Sequence, residues 1–144
     1  MAAQSQHVPT LPEFQAACRE AFAYLDRFGF VEITPPSHRY TDPFQVWFRA
    51  EDRFVIVRGE GYGTSAGLSL EHASGVQLDP IWLVPAALRP NRREKDSQSR
   101  GQLEIIRACA ERLLAHGAGF LRGDLAQFLS LAKPLPSYLR QGDA

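Results

Sequence analysis

The chain has little with which to build a metal centre or a disulfide frame. Its 144 residues contain two cysteines and four histidines. Cys18 and Cys109 fall on apolar positions of two predicted helices, and neither belongs to a CxxC or CxxH spacing. That excludes a zinc ribbon or a disulfide scaffold, and buried reduced thiols are expected. No HxH, HExxH or acidic calcium loop occurs, and no cofactor or metal is expected. Lysine is also scarce: 14 Arg and 2 Lys balance 16 acidic residues to a net charge of zero. Without a global field, neither nucleic acid nor an anionic membrane is an expected partner. No apolar run approaches the ~20 residues of a membrane span. The first residues have neither a basic start nor an apolar stretch, so no signal peptide is read and a cytoplasmic location is expected.

What is present is enough apolar residue (44%) for one α+β domain over residues 1–144. Residues 1–9 and 134–144 are read as flexible tails. Thr10-Leu-Pro-Glu13 has the form of a capping box. It opens a helix whose apolar stripe runs through Phe14, Cys18, Phe22, Leu25 and Phe28 to a stop at Gly29. Phe30 to Thr34 reads as a short strand closed by Pro35-Pro36, followed by a polar, irregular segment from Ser37 to Pro43.

The organising stretch is 44–70. Two strand-like runs, Phe44 to Arg49 and Arg53 to Arg58, flank a turn at Glu51-Asp52. With that turn at the tip, Phe44, Val46, Phe48, Val55 and Val57 share one face. Gln45, Trp47, Arg49, Phe54, Ile56 and Arg58 share the other. A slip of one residue would exchange the faces. Helices are expected on one face, and Trp47 and the arginines at the margin of a half-covered second face. Glycines at 59, 61 and 63 then lead into a third strand-like run through Leu68 and Leu70, and Gly75 to Leu78 is a fourth, short one. Asp79-Pro80 reads as a cap before one helical turn, with Trp82 in the core. Pro90 to Gln98 is a charged loop, and the arginines and Lys95 between Arg89 and Arg100 lack the interleaved aromatics of a nucleic-acid surface. Ser99-Arg-Gly-Gln102 resembles a second capping box, for a helix placing Leu103, Ile106, Ala110, Leu113 and Leu114 inward. Asp124 can cap a third helix, with Leu125, Phe128 and Leu129 inward. The expected fold is thus an antiparallel meander of four or five strands against an N-terminal and two C-terminal helices.

Two functional readings follow. The glycine stretch is not a phosphate loop: a strand rather than a helix follows it, and no Gly-Lys-Ser/Thr is present. It reads as a twisted hairpin with Tyr62 exposed. A catalytic alternative groups Glu60, Tyr62 and His72 around a pocket under that hairpin, with the carboxylate orienting the imidazole as a general base. The other reading is a non-enzymatic protein-binding surface of Trp47, Arg49, Arg58, Glu60 and Tyr62.

The order of elements carries a resemblance, together with the run Asp42-Pro-Phe-Gln-Val-Trp-Phe48, the run Phe54 to Gly63 and Phe120-Leu-Arg-Gly-Asp124. In these features the chain resembles small bacterial α+β proteins of the polymorphic-toxin immunity type. The resemblance implies a cytosolic protein that binds and blocks a cognate toxin domain, usually through an acidic or aromatic-rich surface.

Overall fold

A computed structural model describes residues 8–40, 42–89 and 101–139. Six antiparallel strands form one sheet in chain order: β1 (Val31–Ile33), β2 (Gln45–Ala50), β3 (Arg53–Glu60), β4 (Ser65–His72), β5 (Val76–Leu78) and β6 (Lys133–Pro134). The helices are α1 (Leu11–Ala21), α2 (Gln102–His116), α3 (Ala118–Arg122) and α4 (Ala126–Leu131).

The β2–β3 hairpin takes the register that a two-residue tip dictates, with Val46 opposite Val57, Trp47 opposite Ile56 and Arg49 opposite Phe54. The faces sort as alternation predicts. Val46, Phe48, Val55, Val57, Leu68 and Leu70 join the core with Phe14, Cys18, Phe22, Ile106, Leu113 and Phe128 from the helices. Helices therefore cover this face, and burying each large side chain contributes about 1.5–3 kcal/mol.

Thr10 and Glu13 form the expected capping box at α1: the Glu13 amide donates to Thr10 Oγ1, and the Thr10 amide to Glu13 Oε1 at 2.8 Å. The α-helix stops at Ala21, earlier than the stripe suggests, and a 3₁₀ segment (Ala23–Phe28) continues to Gly29 at φ 85°. Phe22, Leu25 and Phe28 are spaced by three, and three residues per turn keeps them on one side.

Several expectations need correction. Gly101, not Ser99, is the N-cap of α2, and the Gln102 side chain is buried, its Nε2 donating to the Ser65 carbonyl at 2.8 Å. It is committed to β4 and does not reach back to form a box; Ser99 and the charged loop lie outside the described residues. The chain after α4 is not a tail from residue 134. Lys133–Pro134 pairs with β5, the Leu135 amide donates to the Gly75 carbonyl, and Leu135 is buried. Proline suits this position because an edge strand has no partner for the missing N–H. At the other end Pro9 is already buried. Leu114 and Leu129 are exposed, since each sits one residue past the position that faces the sheet. Trp82 is also exposed (53%) rather than in the core, on a 3₁₀ turn capped by Asp79, with Arg89 stacked on its ring.

Candidate functional site

The face of the sheet turned away from the helices carries four of the five predicted contact residues: Trp47, Arg49, Arg58 and Glu60. Register places Val31, Arg49, Phe54, Glu71, Gln77 and Lys133 in one row across all six strands. The next row on this face holds Ile33, Trp47, Ile56 and Ser69, and the next Gln45, Arg58 and Gly67.

A buried polar network organises these rows. Arg39, on a 3₁₀ turn in the segment after β1, donates from both terminal nitrogens to Glu71, at 3.0 Å to Oε1 and 2.7 Å to Oε2. Its guanidinium also stacks on the Trp47 ring at 4.9 Å. Trp47 is on β2 and Glu71 on β4, so the Arg39 side chain bridges the strands on either side of β3. The Trp47 indole N–H donates to Gln45 Oε1 at 2.7 Å, and Gln45 Nε2 donates to the Asp42 carbonyl at 2.8 Å. Phe54 meets Trp47 edge-on, and Arg49 covers Phe54. The segment read as merely irregular thus supplies the keystone of the face.

Three predicted contact residues of this face are accessible and one is not. Arg49 and Glu60 are exposed, and Arg58 is half-exposed. Trp47 is only 2% exposed, so its placement at the sheet margin is corrected: stacking, edge contact and hydrogen bond all hold it inside. Arg58 approaches Glu71 at 3.8 Å, beyond hydrogen-bond length, because Arg39 already occupies both carboxylate oxygens. Desolvation pulls the Arg58 pKa down, against the opposing pull of Glu71, with Arg39 lowering it further and Glu60 raising it. Glu60 folds over Gly67, where a Cβ would come within 2.5 Å of its Oε2.

Tyr62 crowns the β3–β4 hairpin. Gly61, Tyr62 and Gly63 have φ of 60°, 55° and 89°, three consecutive left-handed residues, and the tyrosine is fully exposed. Glycine adopts this region freely, whereas a tyrosine there costs about 1–2 kcal/mol.

The structure does not bring Glu60, Tyr62 and His72 together. Arg53 pairs with His72 at one end of the β3–β4 ladder and Glu60 with Ser65 at the other, about 23 Å apart along the strands. A groove of about 330 Å³ lies between α1 and β1, lined by Leu11, Gln15, Glu32, Ile33, Tyr40 and Gln45 among others, and none of the three residues borders it.

His72 has other partners, which the sequence did not suggest. Its Nε2 lies 3.1 Å from Asp52 Oδ2 and its Nδ1 2.8 Å from Ser74 Oγ. The Ser74 amide donates to Nδ1, which makes that nitrogen an acceptor and puts the ring proton on Nε2, facing Asp52. By residue type this is a serine–histidine–aspartate set, but it lacks oxyanion donors. The amides of Ala73 and Gly75 are spent on the Asp52 and His72 carbonyls, so nothing in the turn would hold a tetrahedral intermediate. The arrangement clamps two adjacent hairpin tips. Among the described residues no cluster of three or more His, Cys, Asp or Glu could hold a metal ion.

Neither cysteine is in a disulfide. Burial pushes the Cys18 thiol from 9.0 up to about 12, Glu32 adding to the rise and Arg19 opposing it. A raised thiol pKa means that the neutral form is the one that fits. The stabilisation is whole below pH 9.0 and is lost as pH climbs toward about 12. Urea midpoints at neutral and strongly alkaline pH are expected to show this fall, and Cys18→Ala to reduce it. Iodoacetamide should leave Cys18 unmodified in the native protein. Rapid native labelling of Cys18 would contradict its burial.

Comparison of the chain with protein-family models, with curated proteins and with solved structures gave no match.

Proposed function

We propose that the chain is a non-enzymatic, cytosolic protein-binding module, of the immunity type that neutralises a toxin domain, and that its contacts come from the outer sheet face and the glycine hairpin. The observation that carries this reading is Tyr62, a fully exposed aromatic held in a costly left-handed conformation at the tip of the two longest strands. Tyrosine is a favoured interface anchor because it buries a large ring at little entropic cost. Backbone strain at an exposed aromatic supports function better than it supports folding, since glycine at the same place would be more stable. No helix among the described residues is long and apolar enough to cross a membrane.

The test is co-expression with the product of the gene immediately upstream. A toxic C-terminal domain is expected there, with growth restored by this chain and a stable complex recovered. Tyr62→Gly should raise folding stability by about 1 kcal/mol, while weakening the complex at least tenfold. Full affinity in a stabilised Tyr62→Gly protein would remove the hairpin from the interface, and absence of any complex would remove the immunity reading.

A further inference from the structure

We infer that the outer sheet face docks an acidic segment of a protein partner, whose carboxylates are received by Arg58, Arg49 and Lys133. The inference rests on the protein-binding reading and specifies the chemistry of the partner. The chain as a whole is neutral, but its charge is separated. Among the described residues, the outer face of the strands and the segment roofing it carry Arg39, Arg49, Arg58 and Lys133 against Asp42, Glu60 and Glu71. Arg39 and Glu71 cancel inside the fold. Arg49, Arg58 and Lys133 then face solvent with Glu60 as the one carboxylate beside them on the strands. Asp42, on the roofing segment, is turned to its own backbone and accepts from the Phe44 amide at 2.7 Å.

Arg58 is the centre of the patch. Its side chain is 38% exposed, and the one nearby buried carboxylate is saturated by Arg39. A guanidinium fork left without a close acceptor is matched by a carboxylate, which it can bind through two parallel N–H donors. Arg49 lies one strand over and four residues along, about 14 Å away, and Lys133 sits at the β6 edge. These spacings suit an extended or helical acidic segment better than a single small anion. A nucleic acid is the poorer fit, since base stacking needs a row of open aromatic faces: on the strands Trp47 is buried and Phe54 lies beneath Arg49, and the exposed rings of Tyr40 and Tyr62 lie off the strands.

The experiment is an NMR titration of the full chain with octaglutamate, with oligothymidylate and inorganic phosphate as parallel arms. Octaglutamate is expected to shift the amide signals of Arg49, Arg58, Gln77 and Lys133, and to bind more weakly as salt is raised. The triple variant Arg49→Gln/Arg58→Gln/Lys133→Gln should lose about tenfold in affinity or more. Arg107→Gln, a single Arg→Gln replacement on the exposed side of α2, should bind like the parent. Because Arg58 is half-buried, Arg49→Gln/Lys133→Gln serves as a second variant, expected to lose about threefold with an unchanged melting temperature. Octaglutamate shifts scattered over the molecule, equal loss in Arg107→Gln, or preferential binding of oligothymidylate or phosphate would each overturn the inference. The titration uses octaglutamate alone, whereas the hairpin contact and the immunity reading are tested on the toxin complex, so failure here is distinct from failure of either.

Discussion

Glu71→Ala is expected to lower the unfolding free energy by about 3–5 kcal/mol, a large share of a small domain's stability. The cost comes from what remains. Among the described residues Glu71 is the only carboxylate bonded to Arg39, and both side chains are nearly inaccessible to water. Removing it leaves a buried guanidinium stacked on Trp47 and unable to recover its hydration. Arg58, held 3.8 Å from the same carboxylate, would lose its nearest counter-charge at the same time. Arg39→Ala should cost a comparable amount for the complementary reason. The double replacement Arg39→Met/Glu71→Leu should return most of the loss, because two apolar side chains of similar volume need no hydration to recover. Urea titrations of the two single variants and the double complete the cycle. If the double were as unstable as either single, the pair's value would lie in packing around it rather than in charge compensation.

How much of this was legible in the residues depends on the range over which each determinant acts. Alternation within the 44–58 hairpin sorted Val46 with Val57 and Trp47 with Ile56, because a two-residue tip leaves one register and the pleat does the rest. The capping box at Thr10 and the stop at Gly29 were equally local. The misses are long-range or carried by very short elements. Lys133–Pro134 has no strand pattern of its own and becomes β6 only because β5 offers an open edge. α3 spans five residues, too few for a periodic stripe. Arg39 sits among Ser37, His38 and Tyr40 with nothing to distinguish it from a solvated loop residue, yet its partner is 32 positions away. His72 ends β4, where a strand-end polar group is expected, but its neighbour is not Glu60, which pairs at the far end of the ladder. Asp52 and Ser74 are the residues that adjacent turns deliver to it.

Trp47→Ala is expected to cost about 3–5 kcal/mol through the cavity it leaves, and Trp47→Phe about 1–2 kcal/mol through the lost N–H donor. Alanine removes the ring that Arg39 stacks on and that Phe54 meets edge-on. Phenylalanine keeps an aromatic platform but leaves Gln45 Oε1 without the indole donor it now accepts from at 2.7 Å. The chain has two tryptophans, and Trp82 is half-exposed, so in a Trp82→Phe background fluorescence reports on Trp47 alone. Its emission should be blue-shifted in the native state and move to the red in one transition on unfolding. The distinction from an interface role lies in the binding assay. At a temperature where Trp47→Phe is fully folded, a partner that docks on the outer face should bind it as tightly as the parent, because no partner atom can reach a side chain that is 2% exposed. A weakened complex with unchanged stability would restore Trp47 to the contact surface and would require Arg39 to swing away when the partner binds.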